Sequence, residues 1–252
     1  MSHLHWITPQ WDAPENIRAV VTTRLNGVSH APYESLNLGV HVGDELQSVL
    51  KNRALVKNKL HLQNEPYWLS QVHSTNAVYL SSMTQQHAPI EADASFTDYK
   101  NTICTVMTAD CLPILVTNKQ GTWVAAIHAG WRGLLNGVIE KTLIRYLGNP
   151  HDLLIYLGPA ISQMHFEVGE EVYHAFLQQN IKAAEAFKPS AQHRHKFYAD
   201  LFLLAKQRCF DLGISESQIF GGTLCTYTNQ HEFYSYRRDG QTGRFASLIW
   251  IQ

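Results

Sequence analysis

The chain has 252 residues and carries 20 Lys and Arg against 21 Asp and Glu, for a formal charge of −1. That balance provides no basic footprint for a phosphate backbone or an anionic lipid surface, so nucleic acid and membrane are excluded as expected partners. Hydrophobic residues at 45%, with 6 Trp, 11 Tyr and 10 Phe, are enough for a sizeable core and exclude a disordered chain.

The first residues lack a basic segment leading into an apolar one, and no apolar run reaches the ~18 residues of a membrane span, so a cytoplasmic protein is expected. Cys104, Cys111, Cys209 and Cys225 form no C-x-x-C pair and are too scattered for a disulfide framework, so reduced thiols are expected. Composition does not shift along the chain and no repeat of fixed period occurs. A single domain over 1–252, acting as a monomer, is the expectation.

In chain order, residues 19–23 read as a strand and 45–60 as a helix with apolar residues three and four apart. Residues 68–72 and 77–80 read as strands, followed by a polar loop at 84–91. Strands are predicted at 103–108, 114–116 and 123–127, then a helix at 134–147 and a strand at 153–157. Helices at 170–179 and 200–212 flank a second loop at 188–196, and a hairpin tip at 238–244 leads into a strand at 247–250. Several strands follow one another without an intervening helix, which predicts an α+β fold of helices covering sheets over a doubly wound one.

Three of these strands end on residues that bind metals. Cys111 follows Asp110 at the end of an apolar strand, His128 follows the strand at 123–127, and His73 closes the strand at 68–72. Two imidazoles and a thiolate suit zinc or copper better than Mg²⁺ or Ca²⁺, and three protein ligands leave the open position of a catalytic site. Spacing does not establish that they converge, and Cys111 taken alone reads more readily as a small buried hydrophobe. The turn from Gly130 to Gly133 opens a helix and carries Arg132, so its N–H groups suit an anion, although small residues at a helix entry also serve packing. Asn37, Arg53 and Arg24 are further polar candidates.

Together, Gln71-Val72-His73, Ala109-Asp110-Cys111-Leu112-Pro113 and His128-Ala129-Gly130-Trp131-Arg132-Gly133 closely resemble the bacterial YfiH family, also called the multicopper polyphenol oxidase or laccase-domain family. The resemblance continues through residues 32–39, 41–44, 52–53, 91–94, 157–161 and 236–244, and so covers nearly the whole chain. It implies a four-layer αββα sandwich, metal ligands at His73, Cys111 and His128, and a zinc ion there, with copper the other candidate. It also implies phosphorolysis of adenosine, inosine and methylthioadenosine together with deamination of adenosine. Purine nucleosides and phosphate are then the partners. Arg53, Arg132 and the Gly130 turn are expected to orient phosphate, and Asn37 to contact the nucleoside. One departure is Ser74, where the family has Gly after the first histidine; it restricts the backbone and removes no ligand. Three other readings use the same residues: a cysteine hydrolase with Cys111 and His128, a copper polyphenol oxidase, and a non-enzymatic binder of a cell-wall precursor.

Overall fold

The central strands are apolar on both faces, so each must be covered twice. The computed structural model, which describes residues 5–81, 84 and 88–252, covers them with two facing sheets and helices outside each. One sheet is antiparallel, in the order β1 (Trp6–Ile7), β2 (Ile17–Thr22), β13 (Phe245–Ile251) and β5 (Cys104–Thr108). The other is mixed, in the order β12 (Ile219–Gly221), β8 (Leu153–Leu157), β6 (Leu112–Asn118), β7 (Val124–Ala129), β4 (Ala94–Thr97) and β3 (Ala77–Tyr79). Only its two edge pairs, β12 with β8 and β3 with β4, are parallel. A small antiparallel sheet of β9 (Glu167–Gly169), β11 (Lys196–Ala199) and β10 (Phe187–Pro189) lies beside them in sequence.

The core divides into three layers, each set by the two-residue alternation of the strands. Helix α1 (Leu46–Lys59) contributes Val56 to a cluster with Val20, Met107, Leu248 and Trp250 on the outer face of the first sheet. Between the sheets lie Val21, Val106, Leu115, Val124, Ala126 and Phe245. On the outer face of the second sheet, Ile114, Ala125 and Ile127 meet four helices. These are α2 (Trp131–Leu135), α3 (Val138–Leu143), α4 (Glu170–Gln179) and α5 (Leu201–Asp211). The order helix, sheet, sheet, helix is the αββα sandwich expected, and the mixed second sheet agrees with an α+β class.

Several elements differ from the sequence reading. Residues 68–72 are not a strand; Ser70 makes an isolated bridge with Glu91, and Tyr67, just before them, one with Cys104. The helix expected at 134–147 is broken, because Gly137 takes φ +86 between α2 and α3. The expected hairpin tip at 238–244 is instead the short helix α6 (Tyr236–Asp239), capped by the Ser235 side chain and ended by Gly240 at φ +68. The loop at 188–196 holds the turn between β10 and β11, whose ends are strand. Of the loop at 84–91, residues 85–87 lie outside the described residues. Pro113 lies within β6, where its missing N–H faces the end of β8 and its carbonyl accepts from Gly158 N–H at 2.9 Å.

The break at Gly137 predicts that Gly137→Ala, forced into a left-handed conformation, lowers stability by about 1–2 kcal/mol. Urea denaturation of the two proteins checks this, and an unchanged midpoint would show that the break relaxes into continuous helix.

Candidate metal centre and its cavity

Strand parity places the first two candidate ligands. His128 has the parity of Val124 and Ala126, so β7 turns it into the layer between the sheets. Cys111 lies just before β6 with the parity of Leu115, on the same side. Asp110 at φ +100 forms the turn before it. This turn is tied down because the Asp110 carboxylate accepts from Thr226 Oγ1 and from the Arg237 backbone N–H, both at 2.6 Å. His73 arrives on irregular chain, held against β5 by Gln71, whose side-chain amide pairs with the backbone of Met107 at 2.7 and 2.8 Å.

The three side chains converge. Their ligand atoms lie within 4.8 Å of one another, and Cys111 Sγ is 3.7 Å from His73 Nε2. A tetrahedral zinc with ordinary Zn–S and Zn–N distances separates S from N by about 3.6 Å, so this pair already has the spacing of co-ligands. The two imidazole rings stand at 73° with centroids 4.8 Å apart. Among the described residues this is the one group of His, Cys, Asp and Glu spaced to hold a metal.

A buried carboxylate supports the group. Asp93, fully buried, accepts from His128 Nδ1 at 2.8 Å and from the backbone N–H of His73 at 3.0 Å and Ser74 at 2.6 Å. Burial opposes its ionisation, but these donors, His128 first, outweigh it and hold the carboxyl below its usual value. Cys111 is pulled the same way. Burial disfavours its thiolate, yet His128 and His73 prevail and lower it to about 6. Cys104 and Cys209, buried in β5 and α5 without such neighbours, are pushed up to about 12, as packing thiols should be.

The side of the group away from Asp93 opens on a cavity of about 360 Å³, lined also by His41, Gln71, Met107, Tyr236 and Arg244. Burial, with Arg244 and Arg53 nearby, lowers the His41 pKa below its ordinary value and so favours the neutral ring. Arg244 gives Nη1 to the carbonyls of Thr242 and Gly243.

Of the other expected site residues, none lines this cavity. Asn37 is fully buried, and its amide is committed to Gly39, Asp44 and the backbone N–H of Arg244, so it acts on the cavity wall from behind. Arg53 donates twice to the Leu38 carbonyl, stacks over Trp68 and reaches Met107 Sδ at 3.9 Å, one residue behind the wall. Arg132 is exposed and stacked on its neighbour Trp131. Gly130 is at the metal group, but as space: a Cβ there would lie 2.9 Å from His73 Cδ2 and 3.0 Å from Cys111 Sγ. Ser74 does not adopt a positive φ; His73 does, at +61. Asp93, His41 and Arg244 lie in the segments 91–94, 41–44 and 236–244 that carry the resemblance, but the sequence alone assigns none of them a role, because each is separated in sequence from the partners that give it one.

The family model for multi-copper polyphenol oxidoreductase laccase matches residues 18–252. The chain belongs to this family. The purine nucleoside phosphorylase YfiH of Escherichia coli (strain K12) is 48% identical over 245 residues, 97% of this chain and 98% of that protein. A purine nucleoside phosphorylase of Haemophilus influenzae is 47% identical over 246 residues, 98% of this chain and 99% of the relative. The crystal structure of a Neisseria meningitidis protein superposes with a TM-score of 0.92 at 44% identity, covering 98% of this chain and 99% of that one. That of a Bacillus licheniformis hypothetical protein YfiH gives 0.88 at 28% identity, covering 94% and 93%. Family and donor set agree on metal binding.

The crowding at Gly130 predicts that Gly130→Ala displaces His73 or Cys111 and weakens transition-metal uptake about tenfold or more, with the fold intact. Metal quantification beside circular dichroism checks this; full uptake by the variant would show that the ligands have room to move.

Proposed function

We propose that this protein is a zinc-dependent purine nucleoside enzyme. It cleaves adenosine, inosine and methylthioadenosine with phosphate and deaminates adenosine with water, in the cavity over His73, Cys111 and His128. The observation that carries this reading is a two-nitrogen, one-sulfur donor set whose open side faces a cavity walled by a cation. The names of the relatives supply the substrate class. A zinc ion held by the three ligands would supply a Lewis acid and a bound water acidified to a pKa of roughly 7.

The remaining roles belong to the chain. Asp93 holds His128 with its Nδ1 proton engaged. Phosphorolysis needs an anion fixed in line with C1′ of the ribose, and Arg244 is the cation placed to hold it, with Arg53 behind Met107 adding to the positive potential. Neutral His41 has a ring N–H to offer a polar atom of the base. Asn37 and Arg132 act outside the cavity lining, Asn37 by fixing the backbone of Arg244.

A second reading has its own observation. Cys111, His128 and Asp93 stand as a nucleophile, base and orienting carboxylate would in a cysteine hydrolase. Metal content separates the two readings, because a metal bound to the thiolate removes the nucleophile.

The deciding experiment is turnover of adenosine by metal-quantified protein, with and without phosphate, in wild type and Cys111→Ala, with adenine and inosine separated by chromatography. Phosphate-dependent adenine or phosphate-independent inosine, lost with Cys111 and its zinc, supports the proposal, and zinc-loaded protein that makes neither product ends it. Arg244→Ala is expected to raise KM for phosphate about 10- to 100-fold, the loss of a charge-assisted contact, while inosine formation without phosphate persists. An unchanged phosphate KM would remove Arg244 from the phosphate site.

A further inference from the structure

We propose that Asp93 is the positioning residue of the metal centre: one carboxylate sets the backbone of the first histidine ligand and the ring tautomer of the second. This rests on the metal reading above and gives its geometry a cause. The carboxylate lies at the entrance to β4, away from solvent, and five donors reach it. Oδ1 accepts from His73 N–H at 3.0 Å and His128 Nδ1 at 2.8 Å. Oδ2 accepts from Val72 N–H at 3.3 Å, Ser74 N–H at 2.6 Å and Ser74 Oγ at 2.7 Å.

Three consecutive backbone N–H groups reach one anion only where the chain curls around it. The curl is at His73, whose φ of +61 is a conformation that side chains other than glycine rarely adopt. That same curl turns the His73 ring towards Cys111. At His128 the constraint is chemical. A carboxylate only accepts, so Nδ1 must carry the ring proton and Nε2 is left with its lone pair for a metal. The Asp93 carbonyl also accepts the His128 backbone N–H at 2.7 Å, so one residue grips this ligand at both ends. Substitution by Asn keeps the shape and breaks the logic. Its amide NH₂ must face either His128 Nδ1 and the His73 N–H, inverting the tautomer, or the N–H groups of Val72 and Ser74, opening the curl.

The test is zinc affinity by competition with a chromophoric chelator, in wild type and Asp93→Asn, with circular dichroism confirming that both are folded. A loss of about 10- to 100-fold in the variant is expected. Equal affinities would overturn the proposal and leave the metal reading standing; a wild type that takes up no zinc would overturn both. A second readout needs no variant and moves only with ring chemistry. In nitrogen-15 spectra of zinc-loaded wild type, His128 should carry its proton on Nδ1 and bind through Nε2. Binding through Nδ1 would overturn the proposal whether or not the variant folds.

Discussion

A polar group placed between two packed sheets has no water to turn to, so it must find partners within the layer or destabilise the fold. The alternation of β7 and β6 sends His128 and Cys111 into that layer, and everything around them answers the demand. Asp93 accepts the hydrogen bond from His128 Nδ1–H, the backbone of residues 72–74 satisfies Asp93, and Gln71 in turn holds that backbone to β5. The chain of obligations runs from a strand face to an irregular segment that no repeat pattern specifies. Asp110 plays the corresponding part on the Cys111 side, tying its turn to Thr226 and to the start of the helix that brings Tyr236 to the cavity.

This explains what the amino-acid sequence discloses and what it withholds. Cys111 and His128 are legible because one stands just before a buried apolar strand and the other near the end of one, and a soft donor at such a place stands out against Val, Ile and Ala. The helices at α1, α4 and α5 are legible because their apolar spacing is imposed by a single covered face. Residues 68–72 mimic a strand because Trp68, Leu69 and Val72 are apolar, yet only Ser70 among them bridges a neighbour, Glu91, and no ladder forms. Gly137 is silent in an apolar periodicity that continues through it; only its φ of +86 shows that the helix must restart. Asn37 and Arg53 look functional from their type, whereas burial commits the first to four hydrogen bonds and the second to a carbonyl and a Trp face.

Gly130 and Ser74 show how a small residue can be read in two ways. At Gly130 the missing side chain leaves room for His73 and Cys111, so its importance is steric, and the five-residue helix that follows is too short to lend much of a dipole. At Ser74 the extra hydroxyl is used, since it donates to Asp93 Oδ2 and accepts from Asn76 N–H. The added side chain therefore strengthens the curl it was expected to restrict. The strain sits one residue earlier, on the ligand itself.

The family description and the names of the relatives point to different chemistries, copper oxidation and nucleoside phosphorolysis. A multi-copper oxidase passes electrons between several coppers and so needs several ligand sets, while the described residues bring together one. That set has two nitrogens, one sulfur and an open side, and its cavity wall carries Arg244 with two donor nitrogens, Nε and Nη2, beyond those given to Thr242 and Gly243. A fixed cation facing an open metal position suits a substrate with an anionic partner. It has no evident use in removing electrons from a phenol. That balance is why we propose group transfer over oxidation, and on that proposal the carboxylate behind His128 is the feature that would hold this ring in one orientation towards a metal.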